Sequence, residues 1–275
     1  MIEGADPARV PEPARRRERA GLHESAPRVS VVMPAYNEAA ILEDSVRTVA
    51  TALAGDHDET GEIDRCGTRF EIVVVENGST DGTLAIARRL AGAISELRVE
   101  SLAKADYGAA LRHGLLSARG EVVVNFDTDY YDIDFLRTAV ARVLAEGGPA
   151  IVVGSKRAPG SDDRRALPRR IVTAVFSRIL RSGYGLKVSD THGMKAMRRA
   201  AVLDHARACR LGRDLFDTEL ILRVERAGLP TAEIAVPVEE LRPARTSILR
   251  RVPRTMIGLL RLRAALRDTG TGTGA

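Results

Sequence analysis

Short apolar runs alternate with segments of helical periodicity between residues 29 and 153, and no other feature constrains the fold as strongly. Each run is rich in β-branched side chains, as expected of a strand that is buried on both faces. The helical segments are long enough to connect parallel strands. The alternation therefore predicts an α/β fold with a mostly parallel, doubly wound sheet and helices on both faces.

The first half of the chain is predicted to hold five strands and four helices. The strands are Val29–Met33, Phe70–Val75, Leu97–Val99, Glu121–Phe126 and Ala150–Val153. The helices are Glu38–Leu53, Thr80–Leu90, Ala109–Ala118 and Asp134–Ala145. Pro34 is expected to stop the first strand because it has no N–H to donate.

The second half is less regular. Its predicted helices and strands are Ala166–Leu180, Gly193–Met197, Asp214–Ala227 and Thr231–Val236. A tail helix over Ile248–Leu266 places apolar residues on one face, namely Ile248, Val252, Met256, Leu259, Leu260 and Leu266. Arginines cluster on the opposite face, and Pro253 is expected to lie near the start of the helix. The tail is interpreted either as an interfacial helix on anionic lipid or as a helix packed on the body or a partner.

With 275 residues, the chain suits one large α/β domain. We expect a disordered lead over 1–28, a folded domain over 29–245 and a basic amphipathic tail over 246–275. No apolar run approaches the roughly 20 residues of a membrane span, and no signal peptide is recognised. The two cysteines form no C-x-x-C pair, which favours a cytoplasmic setting.

The net charge of +5 is concentrated in two stretches. Residues 156–181 carry eight Lys/Arg and two Asp, and residues 242–268 carry eight Arg and one Asp. The rest of the chain is therefore acidic overall. This distribution argues against a nucleic-acid-binding protein and for one or two local anionic partners.

Polar side chains follow three of the predicted strands, in the stretches 34–38, 76–83 and 127–132. Ligands of doubly wound sheets bind beyond the carboxyl ends of the strands, so these loops are expected to form the site. Tyr36, Tyr130 and Tyr131 lie in these loops, and Tyr107 lies in a further motif that starts at Lys104. Four of the five tyrosines of the chain thus fall in candidate motifs, which hints at a binding site.

Asp127 and Asp129 form a D-x-D pair at the end of the fourth strand. Such a pair is either a solvated acidic turn, with Asp132 or Asp134 capping the next helix, or a site for Mg²⁺ or Mn²⁺. Its place at a strand end favours the metal. The chain has no G-x-G-x-x-G after the first strand and no P-loop motif, which weakens dinucleotide and P-loop interpretations.

Four segments occur in a characteristic order: VSVVMPAYNE from Val29, VVENGSTDGT from Val74, Lys104 followed by Gly108-Ala109-Ala110, and NFDTD from Asn125. Together they resemble a family 2 glycosyltransferase with the GT-A nucleotide-diphospho-sugar transferase fold. Further motifs resemble dolichyl- or polyprenyl-phosphate mannose synthases: Gly154–Arg157, Arg169-Arg170, Asp190–Lys195 and Phe216–Leu220. The resemblance covers residues 29–245.

The resemblance implies a site for a GDP- or UDP-sugar donor and a divalent metal, Mg²⁺ or Mn²⁺. Asp127 and Asp129 would bind the metal, and Asp129 would act in catalysis. Glu76 and Asn77 stand where the family often has Asp-Asp, Asp106 where it often has Gly, and Tyr131 where it often has Gln. The residues implied in donor binding are Pro34, Tyr36, Glu38, Glu76, Asn77, Lys104, Asp127, Thr128 and Asp129.

The implied reaction is an inverting transfer in which an acceptor oxygen displaces a nucleoside diphosphate. A lipid monophosphate acceptor is largely dianionic at neutral pH and needs cations but no base. Its expected binding residues are Lys156, Arg157, Arg169 and Arg170. A hydroxyl acceptor needs a general base. The candidates are Asp190, His192, Asp217 and Glu219, of which Asp217 is assigned as catalytic.

The main prediction is therefore sugar transfer to a polyprenyl or dolichyl phosphate, by a cytoplasmic enzyme that visits the inner face of the membrane. The first alternative is transfer to a soluble hydroxyl acceptor. The second is a nucleotide-sugar-binding module whose activity is impaired, because Asn77, Asp106 and Tyr131 depart from the family pattern. A nucleotidyltransferase is disfavoured because PAYNE stands where a glycine-rich loop would be expected.

Overall fold

The computed structural model describes residues 26–55, 69–156, 167–236 and 248–267, with only the backbone described over 167–173, 248–256 and at 214. Within these ranges the strands, in chain order, are β1 Val29–Ala35, β2 Phe70–Asn77, β3 Leu97–Leu102, β4 Val122–Asn125, β5 Ile151–Ser155, β6 Lys195–Arg198 and β7 Thr231–Ala235. The helices found in the same described residues are α1 Leu42–Ala54, α2 Thr83–Ala91, α3 Tyr107–Ser117, α4 Ile133–Leu144, α5 Leu167–Tyr184, α6 Arg199–Ala208, α7 Phe216–Arg226 and α8 Ile248–Arg267. A short 3₁₀ turn, Arg213–Leu215, precedes α7.

The strands form one sheet in the order β3-β2-β1-β4-β6-β5-β7. Every neighbouring pair is parallel except the two pairs that involve β6, which runs antiparallel to β4 and β5. The mostly parallel sheet is thus confirmed. Because β6 is reversed, its N-terminal end lies at the same edge as the C-terminal ends of the other strands.

Helices cover both faces of the sheet, as predicted. Alternate residues of each strand point to opposite faces, so Val32 and Val73 join one core while Val31 and Ile72 join the other. The first core is completed by α3, α5, α6, α7 and α8. The second is completed by α1, α2 and α4.

Three local predictions need correction. First, β1 continues through Pro34 to Ala35. Val32 accepts a hydrogen bond from Phe126 on the β4 side, and Pro34, two residues on, faces the same side. Pairing with β4 has ended at Val32–Asn125, so the missing N–H of Pro34 costs no ladder bond there.

Second, α6 was not expected; only Val202 and Ala206 of this helix are buried, so its apolar periodicity is weak. Third, the tail helix begins at Ile248 and runs through Pro253. Pro253 is the sixth residue of this helix and lacks the N–H that would donate to the Leu249 carbonyl, so the helix continues past it with one backbone hydrogen bond fewer.

The C-terminal half of α8 packs on the body, in line with the second of the two hypotheses for the tail. Leu259, Leu262 and Leu266 are buried, and the Tyr184 hydroxyl of α5 donates to the Leu259 carbonyl at 2.8 Å. Leu260 was placed on the same apolar face but is 70% exposed, and Ile257 is 53% exposed. Among the described helices, none is both long enough and apolar enough to cross a bilayer.

The position of α3 depends on two close approaches that only glycine permits. A Cβ at Gly114 would lie 2.3 Å from a methyl group of Val32 on β1, and one at Gly108 would lie 2.6 Å from the backbone of Arg213. Real Cβ atoms do not approach other atoms this closely. The two glycines therefore let the first turn of α3 sit against the carboxyl edge of the sheet.

Candidate active site

A cleft of about 410 Å³ opens at the carboxyl edge of the sheet. It is formed by the loops after β1, β2 and β4 and by the start of α3. Its lining residues are Pro34, Tyr36, Glu38, Asn77, Ala105, Asp106, Tyr107, Asp127, Thr128 and Asp129. The structure thus brings together seven of the nine residues expected to bind the donor; Glu76 and Lys104 do not line the cleft.

The loop after β1 is held by the loop after β2. Asn37 adopts a left-handed backbone conformation with φ of 54°, and its side-chain oxygen accepts from the Thr80 N–H at 2.8 Å. The Glu38 N–H donates to the Thr83 hydroxyl at 2.9 Å, and the Ala39 N–H donates to Asp81 at 3.2 Å. Most polar residues of the GSTDGT segment therefore shape the neighbouring loop, which leaves Tyr36 41% exposed at the cleft.

Glu76 is buried and supports the loop that follows it. Its carboxylate accepts hydrogen bonds from the Ser79 N–H and, at 2.7 Å, from the Ser101 hydroxyl. Burial alone would raise the pKa of Glu76, but these hydrogen bonds outweigh burial and lower the pKa below its usual value. Glu76 therefore carries a charge at neutral pH and supports the loop after β2 without lining the cleft.

Asn77 joins two sides of the cleft through its amide. The side-chain nitrogen donates to the Ala35 carbonyl at 3.1 Å, and the side-chain oxygen accepts from the Asp106 N–H at 3.2 Å. A carboxylate could not donate to the Ala35 carbonyl. This explains in physical terms why an amide stands where relatives often carry a second aspartate.

Asp106 caps the N-terminus of α3. One carboxylate oxygen accepts from the Ala109 N–H at 2.9 Å and from the Arg213 N–H at 2.7 Å. The second contact ties the start of α3 to the turn before α7. Asp106 stands where relatives often carry glycine, and its carboxylate holds the start of α3 in place next to the cleft.

The D-x-D segment forms a tight turn. The backbones of Asp127 and Tyr130 exchange two hydrogen bonds, at 3.2 and 3.3 Å. The Ser45 hydroxyl of α1 donates to the Thr128 carbonyl at 2.6 Å and so ties the turn to α1. Asp132 accepts from the Phe135 N–H and caps α4, as one of the two sequence interpretations expected.

The two aspartates of this turn have different surroundings. Asp129 is exposed at the cleft. Asp127 lies deeper, and its Oδ1 accepts from the Tyr107 hydroxyl at 2.8 Å. Burial raises the pKa of Asp127; the Asp129 and Asp217 carboxylates add to this, whereas the Tyr107 hydroxyl and the Lys195 ammonium oppose it. Burial and the Asp127 charge raise the pKa of Tyr107 well above its usual range, so its hydroxyl remains a donor.

The donor set fits a hard divalent cation that is shared with a substrate. Asp127 and Asp129 offer two carboxylates on one turn facing one cleft. No group of three or more acidic, His or Cys side chains among the described residues forms a closed cage. Mg²⁺ and Mn²⁺ suit such a half-built site, since they keep water and substrate phosphate oxygens as further ligands.

Behind the D-x-D turn lies a buried ion pair between β6 and α7. The Lys195 Nζ is 3.1 Å from Oδ1 of Asp217 and donates to the Gly193 carbonyl at 2.7 Å. Lys195 is opposite Asn125 in the β4–β6 ladder, two residues before Asp127. Both Lys195 and Asp217 are at least 95% buried, and Oδ1 of Asp217 receives no aligned hydrogen bond from the described part of the chain.

The other candidates for a general base also have hydrogen-bond or ion-pair partners, or lie outside the cleft lining. Asp190 accepts from the His192 N–H at 3.0 Å. Glu219 is fully buried, accepts from the Arg210 and Leu211 N–H groups and pairs with Arg223 at 2.7 Å. Neither of them, nor His192 or Asp217, lines the cleft.

Of the four residues expected to bind the acceptor phosphate, one is described in full. The Lys156 Nζ lies over the Tyr130 ring, 4.4 Å from its centroid, and so sits beside the D-x-D turn. Arg157 falls outside the described residues, and only the backbone of Arg169 and Arg170 is described, at the start of α5. Lys104 is exposed, and its backbone packs against Gly78.

Sequence reasoning missed the roles of Tyr107, Asp106 and Lys195. The clustering of scarce tyrosines near the loops was the available signal for Tyr107. Lys195 lay inside a quoted motif, but only the reversed direction of β6 brings it next to Asp127.

Comparison with known proteins agrees with this site. Residues 30–206, more than half of the chain, match the sequence profile of glycosyl transferase family 2. The chain belongs to this family. The glycosyltransferase AglD of Haloferax volcanii is 31% identical over 233 residues, and the match covers 81% of this chain and 35% of that protein. The chain thus spans about a third of the length of AglD.

Two further relatives carry names that refer to lipid phosphates. A dolichyl-phosphate beta-glucosyltransferase of Drosophila melanogaster is 28% identical over 234 residues, covering 78% of this chain and 67% of that protein. An undecaprenyl-phosphate 4-deoxy-4-formamido-L-arabinose transferase of Pseudomonas aeruginosa is 29% identical over 185 residues, covering 66% of this family 2 chain and 50% of that protein.

Solved structures confirm the GT-A fold. The mannosyltransferase PcManGT from Pyrobaculum calidifontis, in complex with GDP-Man and Mn²⁺, aligns with a TM-score of 0.58 at 23% identity, over 93% of this chain and 72% of that one. TarS of S. aureus in complex with UDP-GlcNAc aligns with a TM-score of 0.50 at 22% identity, over 80% and 62% of the two chains. At these identities the likeness concerns the fold.

Proposed function

We propose that this family 2 glycosyltransferase moves a sugar, with inversion, from a nucleoside-diphosphate sugar to a polyprenyl phosphate, using Mg²⁺ or Mn²⁺. The observation that carries the donor half is the convergence of Asp127 and Asp129 with the PAYNE loop on one cleft. Relatives whose names refer to dolichyl and undecaprenyl phosphate support the acceptor. Proteins of the same fold have been solved with GDP-Man and with UDP-GlcNAc, so the proposal includes both guanine and uracil as the base of the donor.

The donor would lie across the cleft with its base near Tyr36 and its diphosphate near the D-x-D turn. Tyr36 offers an exposed ring face, on which a base can stack. Asp127 and Asp129 would hold the metal, which when bound neutralises the charge of the departing diphosphate. Pro34, Asn77 and Thr128 shape the wall between these two ends.

The surroundings of the carboxylates favour a phosphate acceptor over a hydroxyl. None of the residues that the sequence offers as a general base for a hydroxyl acceptor lines the described cleft: Asp190, His192, Asp217 and Glu219. A phosphate dianion attacks without one and needs only cations to orient it. Lys156 beside Tyr130 supplies one such cation, and Arg157, Arg169 and Arg170 are proposed as the others. We assign Asp217 to the support of Lys195 in this scheme.

The test is sugar transfer to polyprenyl phosphate from a panel of UDP- and GDP-sugars with Mn²⁺ or Mg²⁺. Asp129→Ala is expected to lower turnover about a hundredfold or more, because loss of metal-mediated charge stabilisation costs several kcal/mol. Asp134→Ala is the matched control, since Asp134 is a 92% exposed aspartate five residues further on. If neither the metal nor Asp129 affects turnover or donor binding, the proposal fails.

We also propose that the enzyme reaches its acceptor as a peripheral protein at the cytoplasmic face of the membrane. Ile257 and Leu260 protrude from α8, and Arg261, Arg263 and Arg267 lie exposed on the same helix. Apolar side chains among arginines suit an anionic lipid surface. Binding to anionic vesicles should fall in Ile257→Ser/Leu260→Ser with stability unchanged; equal binding by the variant and the parent protein would contradict the idea.

A further inference from the structure

The Tyr107 hydroxyl is the one side-chain group that donates a hydrogen bond to Asp127 within the described parts of the chain. The bond is 2.8 Å long and partly buried, and Tyr107 itself lines the cleft. A carboxylate that is partly withdrawn from water is stabilised by such a donor, so this contact fixes which way Asp127 points.

Tyr107 is held in place independently of any ligand. It is the first residue of α3, directly after the cap residue Asp106. The Asp106 carboxylate accepts from the Ala109 N–H within the helix and from the Arg213 N–H of the turn before α7. Gly108 follows and allows the Arg213 backbone to approach. Asn77 holds the Asp106 N–H from the opposite side. The ring therefore arrives at Asp127 from a rigid element, as precise positioning requires.

The charges around Asp127 show why a neutral donor suits this position. Two further carboxylates, Asp129 and Asp217, lie near enough to act on Asp127, and the nearby ammonium of Lys195 is already shared between Asp217 and the Gly193 carbonyl. A cationic side chain at 107 would neutralise Asp127 and compete with a metal ion. A hydroxyl orients the carboxylate and leaves its charge available.

We propose that Tyr107 is a positioning residue that orients Asp127 through its hydroxyl so that the carboxylate can bind the divalent metal. This inference rests on the proposed function, in which Asp127 and Asp129 hold the metal. Tyr107 would not touch the sugar or the acceptor; it would act through Asp127.

The test compares the 275-residue chain with its variant Tyr107→Phe, which keeps the ring and removes the hydroxyl. Mn²⁺ is titrated alone and in the presence of UDP or GDP, and free Mn²⁺ is followed by electron paramagnetic resonance. We expect the dissociation constant for Mn²⁺ to rise about tenfold or more, as is typical when an outer hydrogen-bond partner of a metal ligand is removed. Excess Mn²⁺ should restore most of the kcat lost at limiting metal.

Tyr184→Phe is the matched control. Tyr184 also donates one hydrogen bond of 2.8 Å, to the Leu259 carbonyl, but it lies between α5 and α8, outside the cleft lining. It should bind Mn²⁺ as the parent protein does. Equal Mn²⁺ affinities in Tyr107→Phe and Tyr184→Phe would overturn the role of Tyr107, as would a loss of turnover that excess Mn²⁺ does not relieve.

Asp129→Ala in the same titration separates the two proposals. If Asp129→Ala weakens Mn²⁺ binding and Tyr107→Phe does not, the metal site stands and the positioning role falls. If the parent protein and Asp129→Ala bind Mn²⁺ equally, both the metal site of the proposed function and the role of Tyr107 are wrong.

Discussion

The two halves of the sheet place their chemistry in opposite ways. In the half formed by β1 to β4, every strand is parallel, and the functional side chains lie at or just beyond the C-terminal ends of the strands, as Asn77 and Asp127 do. In the half formed by β5 to β7, the reversed strand β6 brings its first residue, Lys195, to the same edge. Strand direction therefore decides whether the residues before or after a strand belong to the site.

The halves also differ in how their polar groups are satisfied. Around β1 and β2, side chains bond mainly to backbone groups of neighbouring loops, as Asn77 does with Ala35 and Asp106. Around β6 and α7, charged side chains pair with one another in the interior, as Lys195 does with Asp217 and Glu219 with Arg223. A buried ion pair is strongly destabilising when one partner is removed, whereas each neutral hydrogen bond contributes little.

The largest expected effect comes from breaking the pair behind the D-x-D turn. Lys195→Met keeps much of the side-chain volume but leaves the 5% exposed Asp217 without its cation. We expect the free energy of unfolding to fall by about 3–5 kcal/mol, the usual cost of an uncompensated buried charge. Urea unfolding followed by circular dichroism measures this loss.

Two further variants serve as comparisons for the stability loss expected of Lys195→Met. Lys195→Met/Asp217→Leu removes both charges and should recover most of the stability, since a buried pair often exchanges for apolar residues at little cost. Asp129→Ala in the other half removes an exposed charge and should change stability by no more than about 0.5 kcal/mol. If Lys195→Met proved as mild as Asp129→Ala, the contrast between the halves would not hold.

The same contrast explains what sequence could predict. The parallel half repeats one pattern, an apolar run followed by polar residues, so its strands, its helices and the D-x-D turn at Asp127 followed from periodicity and spacing. Nothing local signals that β6 is antiparallel, because the alternation of Lys195, Ala196 and Met197 fits either direction. The position of Lys195 beside Asp127 therefore depended on the folded chain.

Burial was the other property that sequence did not predict. Glu76 and Asp127 are both acidic residues that follow apolar runs, yet hydrogen bonds lower the pKa of Glu76 while burial raises that of Asp127. The tail shows the same limit: Leu259 and Leu260 were placed on one apolar face, but only Leu259 meets the body. Periodicity predicts the apolar face of a helix to within about one residue, and packing against the body determines which residues at the border of that face are buried.

A smaller loss of stability is expected from Asn77→Asp, which places at position 77 the acidic residue that relatives often carry. Asn77→Asp removes the donor to the Ala35 carbonyl and places a carboxylate against it. The free energy of unfolding should fall by about 1–3 kcal/mol, the cost of an unsatisfied buried group, while a carboxylate oxygen at position 77 can still accept from the Asp106 N–H.

This loss should depend on pH. A carboxyl at position 77 would have a folded-state pKa above its unfolded value of about 3.9, since the protonated form can donate to Ala35 and the charged form is repelled. The destabilisation is therefore full above the folded pKa and shrinks as the pH falls toward the unfolded value. Unfolding curves at several pH values measure it, and a gap between Asn77→Asp and the parent protein that stays constant with pH would contradict the assigned contact.

The smallest effect in this series concerns Glu76, whose lowered pKa makes it a source of stability at neutral pH. Its contribution is complete above the unfolded pKa of about 4.3 and is lost as the pH falls through the lower folded pKa. Glu76→Gln keeps one acceptor oxygen, so we expect a loss of about 1 kcal/mol at pH 7 that disappears in acid. Glu121→Gln is the control, because that carboxylate is 53% exposed and lies 3.8 Å from Arg28, where solvent screens the pair. If the parent protein and Glu76→Gln still differed in free energy of unfolding below the folded pKa of Glu76, packing of the side chain rather than its charge would stabilise the loop after β2.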